Sequence, residues 1–176
     1  MTITVDVYSD AICPWCFVGK RRLERAIRAF AGRASVVVAW RPFELNPGLP
    51  REGLDRRAYR SAKFGSWARS QALDAQVTAV GAAEGIPFAH ERIARTPNTL
   101  DAHRLIRLAG ARGRQDAVVE AIFQAYFVGG LDIGDRSTLT GIAAAAGMEA
   151  GEVARLLAGD EGVAAVRAEE ARARRL

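Results

Sequence analysis

The chain has 176 residues, and its 49% hydrophobic and 26% charged content is typical of one globular domain and excludes a disordered chain. Its net charge of +5 is uneven, because residues 1–70 hold 13 Lys and Arg against 6 Asp and Glu. No basic run is interleaved with aromatic residues, so we expect solvated surface charge and no nucleic-acid binding. The basic half also carries both cysteines, where positive charge would stabilise a thiolate.

The first ten residues, MTITVDVYSD, predict a strand. Ile3, Val5 and Val7 alternate with polar residues, which is the pattern of a half-buried strand and not of a signal peptide. The apolar run VVVAW at 36–40 is too short to cross a bilayer, so no membrane segment is expected. The prediction is therefore a cytoplasmic protein, in which a cysteine pair is more often catalytic or metal-binding than structural.

A helix is predicted from about Cys13 to Phe30, followed by a second strand over residues 35–45. The apolar face of the helix is expected to hold Cys16, Gly19, Leu23, Ala26, Ile27 and Phe30. The solvated remainder is expected to hold Lys20, Arg21, Arg22, Arg25 and Arg28. Pro42 and Pro47 should end the second strand, because proline cannot continue a central strand. This order predicts a βαβ unit with parallel strands and a right-handed crossover.

Everything beyond Pro50 is predicted to be helical. The expected helices lie at 55–84, 96–110, 115–130, 135–147, 149–158 and from 160 onward. Asn98 is the candidate cap of the second of these, with Asp101 three residues on as a capping-box variant. Asp135 is the candidate cap of the fourth, and glycines at 129–130 and 147 are expected to end helices. No repeat or linker divides the chain.

Both cysteines lie in one motif, Cys13-Pro14-Trp15-Cys16, at the predicted turn from strand to helix. Free backbone N–H groups and the helix dipole favour a thiolate at Cys13. Pro14 suits the first helical turn, because its missing N–H would have no partner there. We therefore expect Cys13 to attack a disulfide and the less exposed Cys16 to resolve the mixed disulfide. Pro14 and Trp15 should tune the redox potential.

Two other interpretations of the cysteines are possible: a metal site, or a pair of inert buried residues. A closed zinc site needs four ligands, and the remaining candidates, His90 and His103, are not spaced as zinc ligands are, so no metal is expected. If both cysteines were buried and inert, that would describe Cys16 in its reduced state. It would not describe Cys13, which is predicted to lie at an exposed helix start. A redox pair is the favoured interpretation.

The motif and its flanking segments resemble the DsbA-like thioredoxin-fold family, in its cytoplasmic FrnE-like branch. The matching segments are CPWC, GKRRLE (19–24), WRPFELNP (40–47), KFGS (63–66), PNTLDAHRL (97–105) and FQAYFVGGLDIGD (123–135). The resemblance implies an α/β fold: a thioredoxin-like βαβ core (1–50), a large all-helical insertion (51–160) and a connecting helix (161–176). It also implies thiol–disulfide exchange with protein or small-molecule thiols and disulfides, without a metal or nucleotide cofactor.

The family is also similar to hydroxychromene-carboxylate isomerases and to kappa-class glutathione transferases. Those relatives generally carry serine at the position of Cys13, so two cysteines favour dithiol chemistry. A glutathione-dependent isomerase or transferase stays open, with glutathione as co-substrate, as does a non-catalytic binding module. Asn46 is a weak substrate-binding candidate by analogy with the isomerases, or it shapes the turn with Pro47. His103 is a second weak candidate, as a proton shuttle or a helix-surface histidine.

The chain departs from the family pattern after its last insertion helix. Family members continue with a Val-Pro segment, whose cis-proline faces the cysteines, and with two more strands and a helix. Here the last proline is Pro97, and the sequence ends with EEARARRL. A two-stranded sheet would have an unpaired edge. We therefore expect residues to follow Leu176 in the complete protein, or a partner chain to complete the sheet through dimerisation or swapping.

Overall fold

Two parallel strands and the helix between them form the N-terminal unit. In the computed structural model, which describes residues 1–176, β1 covers Thr2–Ser9, α1 covers Pro14–Ala29 and β2 covers Ser35–Pro42. The strands pair in parallel from Thr2 opposite Ser35 to Ser9 opposite Pro42. The predicted βαβ unit is therefore confirmed. β2 ends at Pro42, one of the two prolines expected to end it, and therefore three residues before the predicted limit.

Helices make up most of the remaining chain. They are α2 (Arg56–Phe64), α3 (Trp67–Ala83), α4 (Leu100–Ala111), α5 (Gln115–Phe127), α6 (Arg136–Ala145), α7 (Ala150–Ala158) and α8 (Val163–Ala173), with a 3₁₀ turn at His90–Arg92. A short antiparallel ladder joins β3 (Leu54–Asp55) to β4 (Arg95–Thr96). Sequence analysis missed this ladder, because two-residue strands show no alternation. The thioredoxin-like core with a helical insertion is thus the observed fold class.

Helix caps decide where several of these elements begin. The helix predicted over 55–84 is divided in two, because Gly65 adopts φ +88° and the Ser66 hydroxyl accepts the Arg69 N–H at the start of α3. Asp135 caps α6 as predicted and accepts the Thr138 N–H at 2.7 Å. The prediction for Asn98 was partly right. Thr99 occupies the N-cap position of α4 but makes no side-chain capping bond, whereas Asn98 Oδ1 accepts the Leu100 N–H at 3.0 Å. Asn98 Nδ2 also donates to the Leu49 carbonyl.

The buried face of α1 differs from the predicted one. Phe17 and Val18 are buried on it, whereas Phe30 is 46% exposed. Lys20, predicted to be solvated, has only 2% of its side chain exposed, and its Nζ lies 3.1 Å from Asp116 Oδ2 on α5. The carboxylates of Glu24 and Glu120 also pair with this ammonium. Burial is possible here because the charge is compensated, which hydrophobic spacing alone does not reveal.

An aromatic cluster joins α1 to the insertion. The ring of Phe17 stacks on Phe123 at 5.0 Å and meets Phe88 edge-on at 6.0 Å. Trp40 of β2 packs edge-on against Phe123, and its Nε1 donates to Asp116 Oδ1 at 3.1 Å. The βαβ unit and the insertion therefore share one continuous core, which fixes the start of α1 in space. None of the helices has the length and apolar character needed to span a bilayer.

Candidate active site

Cys13 is the N-cap of α1. Its backbone is extended (φ −94°, ψ 107°), Pro14 is the first helical residue, and the Cys13 N–H donates to the Asp10 carbonyl at 3.0 Å. Its Sγ accepts the N–H of Cys16 at 3.3 Å, so the sulfur takes the position of a capping side chain. Both cysteines are half-buried free thiols. The expected strand-to-helix placement of the motif is confirmed.

The two thiols differ strongly in proton affinity. The hydrogen bond from the Cys16 side chain lowers the pKa of Cys13, with help from backbone N–H groups and against the opposing effect of burial. The same hydrogen bond, then burial and the charge of Cys13, raise the pKa of Cys16. No basic side chain is among the principal causes, contrary to the expectation that nearby cations stabilise the thiolate. The arrangement favours a thiolate at Cys13 and a thiol at Cys16.

A buried aspartate lies directly behind the motif, and sequence analysis missed it. Asp10 has a fully buried side chain, and its negative charge opposes ionisation of both cysteines. One carboxylate oxygen, Oδ2, accepts the Leu45 N–H at 2.7 Å, and the other lies 3.3 Å from Nε2 of His103 on α4. His103 is therefore a buried partner of Asp10 rather than a helix-surface residue.

Two buried glutamates continue this polar region toward α8. The N–H of Glu44 donates to the Glu170 carboxylate, whereas the next N–H, that of Leu45, donates to Asp10. The Oε2 atom of Glu44 is buried without a hydrogen-bond partner. Burial, and then the charge of Glu170, raise the pKa of Glu44 to about 7. Glu44 is thus positioned to take up a proton near neutral pH.

Stability is expected to fall with rising pH through the titration of Glu44. Its pKa is about 7 in the folded chain against an ordinary 4.5, so the folded state binds more protons between these values. The contribution of Glu44 is therefore full below about pH 4.5 and is lost as the pH rises to about 7. Denaturant unfolding at several pH values should show this slope in the difference between the wild type and Glu44→Gln.

Glu120→Gln is a matched control with the opposite sign. Burial alone would raise the pKa of Glu120, but hydrogen bonds from Arg21 and Gln124 lower it to about 2. Its contribution is therefore present above pH 4.5 and is lost as the pH falls toward 2. If the stability differences of the two variants from the wild type changed in the same direction with pH, these assignments would be wrong.

A cavity of about 340 Å³ opens beside the motif, between the start of α1, α2, α3 and the 3₁₀ turn. Of the site residues predicted from the sequence, it is lined by Cys13, Pro14, Trp15 and Asn46. Asn46 Oδ1 accepts from the Tyr59 hydroxyl and from Lys63 Nζ, the latter at 3.1 Å. Cys16 and His103 do not line the cavity. The structure therefore brings Asn46 into the same cavity as Cys13, whereas His103 lies outside the cavity and contacts Asp10 behind the motif.

Comparisons with known proteins agree with this geometry. A family model described as the DSBA-like thioredoxin domain matches residues 4–176, and the chain belongs to this family. The crystal structure of the probable DsbA oxidoreductase SCO1869 from Streptomyces coelicolor is 36% identical, with a TM-score of 0.89 over 98% of this chain and 75% of that one. The uncharacterized protein YwbO of Bacillus subtilis (strain 168) is 31% identical over 85% of this chain and 68% of that protein.

A more distant structure shares the fold. It is a 2-hydroxychromene-2-carboxylate isomerase, 16% identical, with a TM-score of 0.73 over 97% of this chain and 79% of that one. The class of protein is therefore that of the DsbA-like thioredoxin fold, whose members include oxidoreductases.

Proposed function

We propose that the chain is a cytoplasmic thiol–disulfide oxidoreductase in which Cys13 is the nucleophile and Cys16 the resolving thiol. The observation that carries this proposal is the position of Cys13 Sγ at the N-cap of α1, where it accepts the Cys16 N–H. Helix N-termini stabilise thiolates, and the thiolate is the attacking species in disulfide exchange. Membership of the DsbA-like family supports the same reaction.

The proposed reaction has two exchange steps. The Cys13 thiolate attacks one sulfur of a substrate disulfide, forming a mixed disulfide and releasing the other sulfur as a thiolate. Cys16 then loses its proton and attacks Cys13 Sγ, which releases the second substrate thiolate and leaves a Cys13–Cys16 disulfide. The substrate gains two electrons and the cysteine pair loses two. Two molecules of an external thiol, such as glutathione, reduce the pair again and leave joined as a disulfide, and no metal or nucleotide takes part.

The reactivity of the two thiols tests the proposal directly. Cys13 should react with iodoacetamide with an apparent pKa clearly below the ordinary 8.5 or so of a free cysteine, whereas Cys16 should stay unreactive through pH 9. Peptide mass mapping after a pH series distinguishes the two sites. The reduced protein should also reduce insulin in the presence of a thiol donor. An ordinary pKa at Cys13 together with no insulin reduction would refute the proposal.

A second candidate is a glutathione-dependent isomerase or transferase. The observation that favours it is the cavity beside Cys13, together with the fold shared with the hydroxychromene-carboxylate isomerase. Such an activity needs one activated thiol and no resolving partner. It should therefore depend on glutathione and survive Cys16→Ser, unlike repeated disulfide reduction.

A further inference from the structure

Helix α2 forms one wall of the cavity beside Cys13 but has almost no apolar attachment to the rest of the protein. The cavity residues that it contributes are Arg56, Tyr59, Arg60, Lys63 and Phe64. Arg56 is the only buried residue of α2, whereas every other helix buries at least one apolar side chain. The main packing partners of α2 are α3 and the small β3–β4 ladder. Because apolar burial is the main source of local stability, we expect α2 to open at a lower free energy than the helices around it.

Buried ion pairs attach α2 to α3. The Nη2 atoms of Arg56 and Arg60 each lie 2.7 Å from a different oxygen of Asp74. Arg60 Nε also donates to the Ser70 hydroxyl of α3 at 2.6 Å. Asp74, Ser70 and Arg56 are all buried, and separating a buried guanidinium from its carboxylate is costly. This contact is therefore the fixed side of the helix.

A second set of hydrogen bonds attaches α2 to the segment that follows β2. Oδ1 of Asn46 accepts from the Tyr59 hydroxyl and from Lys63 Nζ, the latter at 3.1 Å. Both bonds end on one oxygen atom, so they are lost together when Asn46 and α2 move apart. Lys63 is exposed, and hydrogen bonds that water can replace contribute little net free energy. The contact at Asn46 should therefore break before the ion pairs at Asp74.

Glycines with positive φ lie on both sides of α2. Gly65, with φ +88°, ends the helix, and the space where a Cβ would lie is open, so this joint can turn without a steric clash. Gly53, with φ +69°, precedes β3, and there a Cβ would lie 2.7 Å from the Thr96 carbonyl oxygen. The joint at Gly65 is therefore free to move, whereas the one at Gly53 is held against β4.

We propose that α2 is a lid over the cavity, which pivots on its ion pairs to α3 and opens at Asn46 to give polypeptide disulfides access to Cys13. The motion of the lid is independent of the proposed disulfide exchange, whereas its consequence for substrates rests on that exchange. In the closed state the half-buried Cys13 thiol lies beside a cavity of about 340 Å³, which is the size of a small-molecule site. A disulfide within a polypeptide needs a wider opening, because the chain on each side of it must pass the wall.

Amide hydrogen exchange tests the motion without any substrate. In the reduced protein, peptides from α2 should exchange faster than peptides from α3, because α2 opens locally while α3 stays in the core. Tyr59→Phe removes one hydrogen bond to Asn46 and should raise exchange in α2 about two- to tenfold. Asn46→Asp places a carboxylate opposite the Lys63 ammonium, which is a stronger contact, and should slow exchange in α2 by a similar factor. Exchange in α3 should be unchanged in both variants.

Two maleimides of different size test access to Cys13. N-ethylmaleimide and a maleimide on a long polyethylene glycol chain react with the same thiolate, so the ratio of their rates cancels any change in the ionisation of Cys13. Relative to the small reagent, the large one should react faster with Tyr59→Phe than with the wild type, and slower with Asn46→Asp. The ratio of insulin reduction to hydroxyethyl disulfide reduction should follow the same order. Tyr126→Phe is the matched control with unchanged ratios, because its hydroxyl lines the same cavity but donates to the Arg95 carbonyl and not to Asn46.

Three results would overturn the inference. Exchange in α2 that is no faster than in α3 would show that the helix does not open by itself. A change in the same direction in Tyr59→Phe and Asn46→Asp would exclude Asn46 as the contact that breaks. Equal maleimide ratios in all variants would exclude a role of α2 in access to Cys13. If α2 opens as expected but the protein reduces neither insulin nor hydroxyethyl disulfide, the motion of the lid is supported and the proposed function is rejected.

Discussion

Replacing Cys13 with serine is expected to reduce disulfide exchange to the rate of buffer alone, whereas Cys16→Ser should stop turnover and leave the first attack intact. A serine hydroxyl at position 13 is not ionised near neutral pH, so no nucleophile remains. With serine at position 16 the mixed disulfide at Cys13 forms but cannot be resolved. Intact mass spectrometry should therefore find one substrate half bound to Cys16→Ser and none bound to Cys13→Ser.

Cys16→Ala provides the matched control for the hydrogen bond between the thiols. Both variants at position 16 lack the resolving sulfur, but only serine can donate a side-chain hydrogen bond to the Cys13 thiolate. Because this hydrogen bond is the largest cause of the lowered pKa at Cys13, the pKa should be higher in Cys16→Ala than in Cys16→Ser. Equal alkylation profiles would show that another group activates Cys13. Full retention of insulin reduction by Cys16→Ser would exclude a resolving role for Cys16.

Truncating Phe17 is expected to destabilise the chain by about 3–5 kcal/mol, the usual cost of removing a fully buried phenylalanine side chain. Phe17 is completely buried, and its ring packs against Phe123, Phe127 and Phe88 from the insertion. Phe17→Ala would leave a cavity where α1 meets these helices. Urea unfolding followed by circular dichroism should show the lower midpoint.

Phe30→Ala is the control on the same helix. Phe30 is 46% exposed at the C-cap of α1, and substitutions at such positions usually change stability by less than about 0.5 kcal/mol. The predicted apolar face of α1, by contrast, included Phe30 and omitted Phe17. A larger loss for Phe30→Ala than for Phe17→Ala would favour the face predicted from the sequence over the face seen in the structure.

Structural features that depend on residues close together in the sequence were predicted well. The alternation of Ile3, Val5 and Val7 indicated β1, and the position of Pro14 indicated the first turn of α1, because both depend on residues close in sequence. The cap at Asp135 was predicted for the same reason. The chain-long resemblance supplied the fold class, which two strands and a series of helices would not have specified alone.

Contacts between distant residues were not predictable. His103 lies 93 residues from Asp10, and Glu170 lies 126 residues from Glu44, so no spacing rule links them. The burial of Lys20 depends on carboxylates from α5, which helical periodicity cannot reveal.

The amides of Glu44 and Leu45, which follow the end of β2, can be observed directly by NMR spectroscopy. The Glu44 N–H donates to the Glu170 carboxylate and the Leu45 N–H donates to the Asp10 carboxylate, so neighbouring amides report on two different acids. In an amide nitrogen–proton correlation spectrum, the crosspeak of Leu45 should respond to changes at Asp10, behind the dithiol. The crosspeak of Glu44 should respond to changes at Glu170 on α8. A single labelled sample therefore contains two adjacent probes of the hydrogen bonds to Glu170 and Asp10, with no dye or reporter attached.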